Sequence, residues 1–150
     1  MSVERIQRTK NKNKERANEL EKQVSDKLNA IQTPNSGAGK LLKGDQYDET
    51  FLYETKSTED TKLFVDWFKK INKQAKEMNR IPCVIFIYSE AYAIFPVIVK
   101  NKPIYKIIEP NRKSFSVKAN TLVRLQKVST ISDFWLVMLF DEFVKLRQKK

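Results

Sequence analysis

No histidine occurs in the 150 residues, and that absence removes whole classes of chemistry. Ser-His-Asp and Cys-His hydrolases, histidine-dependent ribonucleases, HNH-type nucleases and nearly every zinc site need an imidazole. Cysteine is almost as scarce. Cys83 stands alone inside the apolar run Cys83–Ile87, so no disulfide forms within the chain and core filling is the expected role of this thiol. No apolar run approaches the ~20 residues that span a bilayer, and no signal peptide is read at the N-terminus, so a cytoplasmic protein without membrane contact is expected. Any hydrolytic chemistry must therefore come from carboxylates, lysine, hydroxyls and a hard metal ion.

Positive charge is what the chain has in excess. Lys and Arg number 29 against 18 Asp and Glu, a net charge of +11 and a pI near 9.7. Such a surplus favours a polyanionic partner, most often nucleic acid. With 41% hydrophobic residues the length suits one core and one domain. Residues 1–13 carry Arg5, Arg8, Lys10 and Lys12 in polar surroundings and read as a flexible arm, either a solubilising tail or a contact to phosphates. Residues 14–150 make the domain.

From Lys14 to Ile31, Ala17, Leu20, Val24, Leu28 and Ile31 recur at helical spacing, with Glu21 inside their stripe. A carboxylate on the core side of a helix needs a partner, such as a metal or a lysine, unless it reaches solvent at the stripe's edge. Thr33–Lys43 is a loop holding Pro34, Ser36, Gly37, Gly39, Lys40 and Lys43. It is not a P-loop, because Pro34 stands where the first glycine belongs and Leu41 follows Lys40; no nucleotide cofactor is expected. Ser36, Gly37, Lys40 and Lys43 offer phosphate donors, and the same segment serves equally as a connector.

Phe51-Leu52-Tyr53 reads as a strand. Continued, it puts Glu54 and Lys56, two apart, on one face, and Asp45 joins them from the other arm of a hairpin. Two carboxylates and an ammonium then suit a hard cation such as Mg2+ and metal-assisted phosphodiester hydrolysis. A salt bridge in a charged hairpin would use the same three residues.

Beyond the strand, Phe64, Trp67, Phe68, Ile71, Ala75 and Met78 predict a helix over Thr58–Asn79, ended by Pro82, with Lys69, Lys70, Lys73 and Lys76 mostly off its apolar stripe. Cys83–Tyr88 and Ala91–Val99 predict buried strands, Pro96 pointing to an edge or bulge in the second. A short strand is expected at Tyr105–Ile108 and a short helix at Lys118–Lys127. The last element, Ile131–Arg147, reads as a helix. Phe134–Phe140 is apolar at every position, and such a surface asks for cover from the chain or a second copy, which makes the helix a dimer element.

Taken in order, Glu21, Asn35-Ser36-Gly37-Ala38-Gly39-Lys40, Lys43-Gly44-Asp45 and Glu54-Thr55-Lys56-Ser57-Thr58 resemble the PD-(D/E)xK nuclease superfamily. The likeness is strongest to its small stand-alone members, the archaeal and bacteriophage Holliday junction resolvases. It covers roughly the first two-thirds of the chain and departs from the pattern at Gly44-Asp45, where the family has Pro-Asp. The resemblance implies an α/β, restriction-endonuclease-like core in the order α-β-β-β-α-β, a mixed sheet flanked by helices, here with an extra C-terminal helix. It implies Mg2+, with Mn2+ as a substitute, held by Glu21, Asp45, Glu54 and the Thr55 backbone carbonyl, with Lys56 orienting the attacking water and the Ser36–Lys43 loop touching the DNA backbone. The function it implies is a homodimeric, structure-selective endonuclease that cuts four-way or branched DNA in recombination, repair or phage DNA processing. Another small nuclease of the superfamily (nickase, exonuclease or restriction-like) and a non-catalytic DNA-binding protein are the alternatives.

Overall fold

The computed structural model describes residues 19, 22–29, 31–32, 46–101, 105–109, 113–126, 128 and 131–148. Glu21, Asp45, the loop with Ser36, Gly37, Lys40 and Lys43, and the arm with Arg5, Arg8, Lys10 and Lys12 lie outside the described residues.

In chain order the elements are helix α1 (residues 22–28), strands β1 (Ile31–Gln32), β2 (Gln46–Tyr47), β3 (Phe51–Ser57) and β4 (Lys62–Phe64), helix α2 (Val65–Glu77), strands β5 (Ile81–Tyr88), β6 (Glu90–Val97), β7 (Lys106–Ile108), β8 (Ser114–Ser116), β9 (Thr121–Arg124) and β10 (Phe134–Leu139), and helix α3 (Phe140–Gln148). Eight strands form one mixed sheet in the order β1-β2-β3-β5-β6-β10-β9-β7, and β4 pairs with β8 in a small second sheet. β3 and β5 run parallel across the α2 crossover, with Glu54 beside Val84 and Lys56 beside Phe86. β7 and β9 are also parallel, and the remaining pairs are antiparallel. The described residues thus form an α/β protein with a mixed central sheet and three helices.

The alternation of side chains along the central strands splits the core in two. Leu52, Val84, Phe86, Ile94, Trp135 and Val137 face α2 and meet Phe68, Ile71 and Ala75. Tyr53, Cys83, Ile85, Ile87, Phe95 and Leu136 face the other way, toward Val24 and Leu28 of α1 and Phe140 and Phe143 around α3. Cys83 lies among them, fully buried. Burial pushes its thiol above the ordinary cysteine range, which suits core filling and not nucleophilic attack.

Several elements differ from the sequence expectation, each for a physical reason. α2 starts at Val65, not Thr58, because Lys62–Phe64 pairs with Ser114–Ser116 far along the chain. It stops at Glu77, short of Asn79, with Asn79 in the left-handed region at φ 56°. Arg80 N–H bonds the Ala75 carbonyl at 2.8 Å and Asn79 N–H the Lys76 carbonyl at 3.1 Å, the paired bonds of a Schellman stop; Pro82 belongs to β5. α1 likewise ends by Asn29, at φ 49°, and Ile31 opens β1. Lys118–Lys127 is not a helix, since Thr121–Arg124 forms β9 between β10 and β7. Pro96 sits in an interior strand, two residues past Ile94, the last register partner of β5.

The largest correction concerns Ile131–Arg147, which is strand β10 followed by α3 and not one helix. An apolar run with no polar position is also what a strand buried on both faces requires. Trp135 and Val137 enter one core and Leu136 the other, so the same chain covers this surface and the stated ground for a dimer element is gone. No helix among the described residues is long and apolar enough to cross a membrane.

Candidate functional site

β3 carries an apolar residue and then two charged ones on its α2 face. Leu52 is fully buried in the core, Glu54 follows with its side chain 13% exposed, and Lys56 is 30% exposed. The face therefore passes from dry to wet along the strand. The Lys56 Nζ lies 3.6 Å from the Glu54 Oε1, an ion-pair distance longer than a good hydrogen bond. The same ammonium stands 5.5 Å from the centre of the Trp67 ring on α2, where the ring's negative face attracts it. Glu54 and Lys56 thus meet on one face as the two-residue spacing predicts, and Thr55 points to the other.

Asp45 immediately precedes Gln46, whose register partner is Tyr53. β3 continues through Ser57, past the described pairs with β2. α1 packs through Val24 and Leu28 on the Tyr53 face of the sheet, opposite Glu54 and Lys56. Among the described residues no three metal-ligating side chains converge. A cavity of about 240 Å³ opens between α1 and the start of α3, lined by Gln23, Lys27, Glu90 and Asp141 among others; Glu54, Thr55 and Lys56 are not among its described lining residues.

The turn that delivers β3 is fixed by Asp48, which the motif reading missed. One carboxylate oxygen accepts the N–H of Thr50 at 2.8 Å and of Phe51 at 2.7 Å, the Asx turn expected of Asp before a strand. The other accepts the Tyr53 hydroxyl at 2.5 Å and pairs with the Arg147 guanidinium of α3. Arg147 also covers the rings of Phe51, Tyr53 and Phe143 at 5.7–5.9 Å. Burial first, then Cys83 and the hydrogen bond to Asp48, push the Tyr53 hydroxyl far above the usual tyrosine range, so it stays a donor. Asp48 is thus committed to the opposite face and is no substitute for Asp45. Asp-x-x before a strand was a readable signal; nothing in the basic C-terminal segment singles out Arg147.

Comparison with family models, curated proteins and solved structures gave no match. The brace at Asp48 is open to direct test. Asp48→Ala strands Arg147, the Tyr53 hydroxyl and two backbone N–H groups at once. A loss of about 2–4 kcal/mol in unfolding free energy is expected, since each unsatisfied or unpaired group is costly. Urea melts of D48A beside Asp48→Asn, which keeps an acceptor for the turn, measure it, and D48N should lose less.

Proposed function

We propose that the chain is a Mg2+-dependent endodeoxyribonuclease with a restriction-endonuclease-like core, acting on branched DNA as the small junction resolvases do. The observation that carries this is the Glu54–Lys56 pair, a carboxylate and an ammonium 3.6 Å apart on one strand face where the core gives way to solvent. Element order supports it. α1, β1, β2, β3, α2 and β5 follow one another as α-β-β-β-α-β, with β4 as an addition, and β3 and β5 are parallel through α2. The +11 charge supplies the attraction to phosphate.

Glu54 and the Thr55 carbonyl are hard oxygen donors of the kind Mg2+ takes, and the Glu54 carboxylate is neither dry nor fully solvated. In this reading Asp45, which precedes Gln46 in the sequence, completes the set, and Glu21 acts directly or through water. A bound Mg2+ supplies Lewis-acid stabilisation of the phosphate and acidifies its water. Lys56 orients the attacking water and, as an ammonium, offsets the charge that builds on the phosphoryl oxygens. The water oxygen would add to phosphorus as the bond to the leaving sugar oxygen breaks, with one proton passing from the attacking water to solvent and one taken up by the departing oxygen.

The deciding experiment incubates the full chain with labelled four-way junction, linear duplex and single strand, in Mg2+ and in EDTA, beside D45N. Metal-dependent cutting of the junction that D45N abolishes supports the proposal. Equal cutting of all three substrates replaces it with a general nuclease. Binding without cleavage in Mg2+ or Mn2+ overturns it in favour of a DNA-binding protein.

A further inference from the structure

Phe64 occupies a position that local rules assign to another kind of residue. It is the N-cap of α2, with no side-chain capping bond, where Ser, Thr, Asp or Asn would be preferred. Phe64 is 42% exposed, although its neighbour Leu63 is buried among the core residues. A large apolar side chain that neither caps its helix nor enters the core breaks two local preferences, and such departures gather at functional surfaces.

The surroundings specify what would cover it. In the β4–β8 sheet Lys62 pairs with Ser116 and Phe64 with Ser114, while Leu63 and Phe115 turn inward. The outer face therefore presents an aromatic ring, a lysine and two hydroxyls, with exposed Lys113 next to Ser114. Phe64 meets Trp67 edge-on, with centroids 5.1 Å apart and an angle of 69°. Trp67 in turn lies under the Lys56 ammonium at 5.5 Å, and Lys56 leads to Glu54. The aromatic pair and the Glu54–Lys56 pair thus form one continuous row. Glu59 and Asp60 lie nearby, but an Asp60 carboxylate oxygen is turned to the Lys62 backbone N–H at 3.3 Å.

Rings interleaved with ammonium and hydroxyl groups are what single-stranded nucleic acid requires, because every base has a π-face and every nucleotide a phosphate. A paired duplex keeps its base faces stacked on one another and offers none to a protein ring. We propose that Phe64 and Trp67 form a stacking platform for an unpaired nucleobase of DNA whose neighbouring phosphate reaches Lys56, an inference that rests on the nuclease reading above and narrows its substrate to branched DNA in which a base unpairs at the branch point. The acidic patch of a protein partner would find the lysines but has no use for the exposed ring.

The chain carries its own reporter. Of its two tryptophans, Trp135 is fully buried and Trp67 belongs to the platform. Titrating the full chain with oligo(dT), and separately with a duplex of equal length, in EDTA reads binding without cleavage. Oligo(dT) should quench Trp67 emission, and Phe64→Ala should weaken its binding by roughly 5- to 150-fold, the range for loss of one stacked base. Phe64→Tyr should restore it, and duplex affinity should move less than twofold in either variant, about 0.4 kcal/mol. Unchanged oligo(dT) affinity in F64A, an equal loss for duplex, or quenching by anionic lipid vesicles but not by oligo(dT) would overturn the platform. Failure of the nuclease reading looks different: oligo(dT) would still quench and F64A would still weaken binding, with no cleavage in Mg2+.

Discussion

Replacing Glu54 by glutamine is expected to slow metal-dependent cleavage of a four-way DNA junction by at least about 10²–10³-fold, the scale of losing one preorganised electrostatic group. Affinity for the same junction in EDTA should change little, because the phosphates are held by lysines spread over the surface and not by this carboxylate. The substitution keeps shape and hydrogen-bonding capacity and removes only the charge, so it separates metal chemistry from packing. Lys56→Met should cost as much through a different route, losing the group that orients water and balances the phosphoryl charge. The double variant should be no slower than the worse single one, since groups that serve one step fail together. Neither change should unfold the protein: the pair is 3.6 Å apart and partly exposed, a geometry worth at most about 1 kcal/mol. Thermal melts within a few degrees of the parent, beside single-turnover cleavage rates, check both halves. Cleavage by E54Q and K56M within tenfold of the parent would remove Glu54 and Lys56 from the chemistry altogether.

What could be read from the chain followed how far apart the deciding partners are. The alternation that put Glu54 and Lys56 on one face is a property of four or five consecutive residues, and β3 has it. The hairpin of β5 and β6 and the short strand β7 were legible for the same reason. β4 was not, because Lys62–Phe64 is a strand only by virtue of Ser114–Ser116; the helical stripe Phe64-Trp67-Phe68 concealed it. For β9 and β10 the sequence shows where apolar residues lie but not how many faces are buried, and a fully apolar run fits a helix and an interior strand alike. In the site itself, Lys56 and Glu54 came from spacing, whereas Trp67 beneath the ammonium and Arg147 on Asp48 depend on α2 and α3 folding back over β3. No local pattern records such returns.

Trp135 offers the largest expected effect on stability, and a test of why β10 is a strand. It sits in the centre of the sheet between Pro96 of β6 and Val123 of β9, with Phe68 of α2 edge-on at 5.1 Å and 84°. Trp135→Ala should cost about 3–5 kcal/mol, the usual range for emptying a large aromatic site in a core. Trp135→Phe should cost clearly less than the alanine variant. The indole N–H is buried and finds no acceptor among the described residues, so phenylalanine loses volume but also removes an unsatisfied donor. Urea melts of the two variants give the comparison, and equal losses would mean that a phenyl ring restores none of the packing. Because Phe68 is one residue from Trp67, loosening this contact should also blunt cleavage through the position of α2. Trp135 and Val137 point into one core and Leu136 into the other, so lysine at any of the three should be severely destabilising. An amphipathic helix through the same residues would tolerate lysine on its outer side, and intolerance at three consecutive positions is the mark of a strand enclosed on both faces.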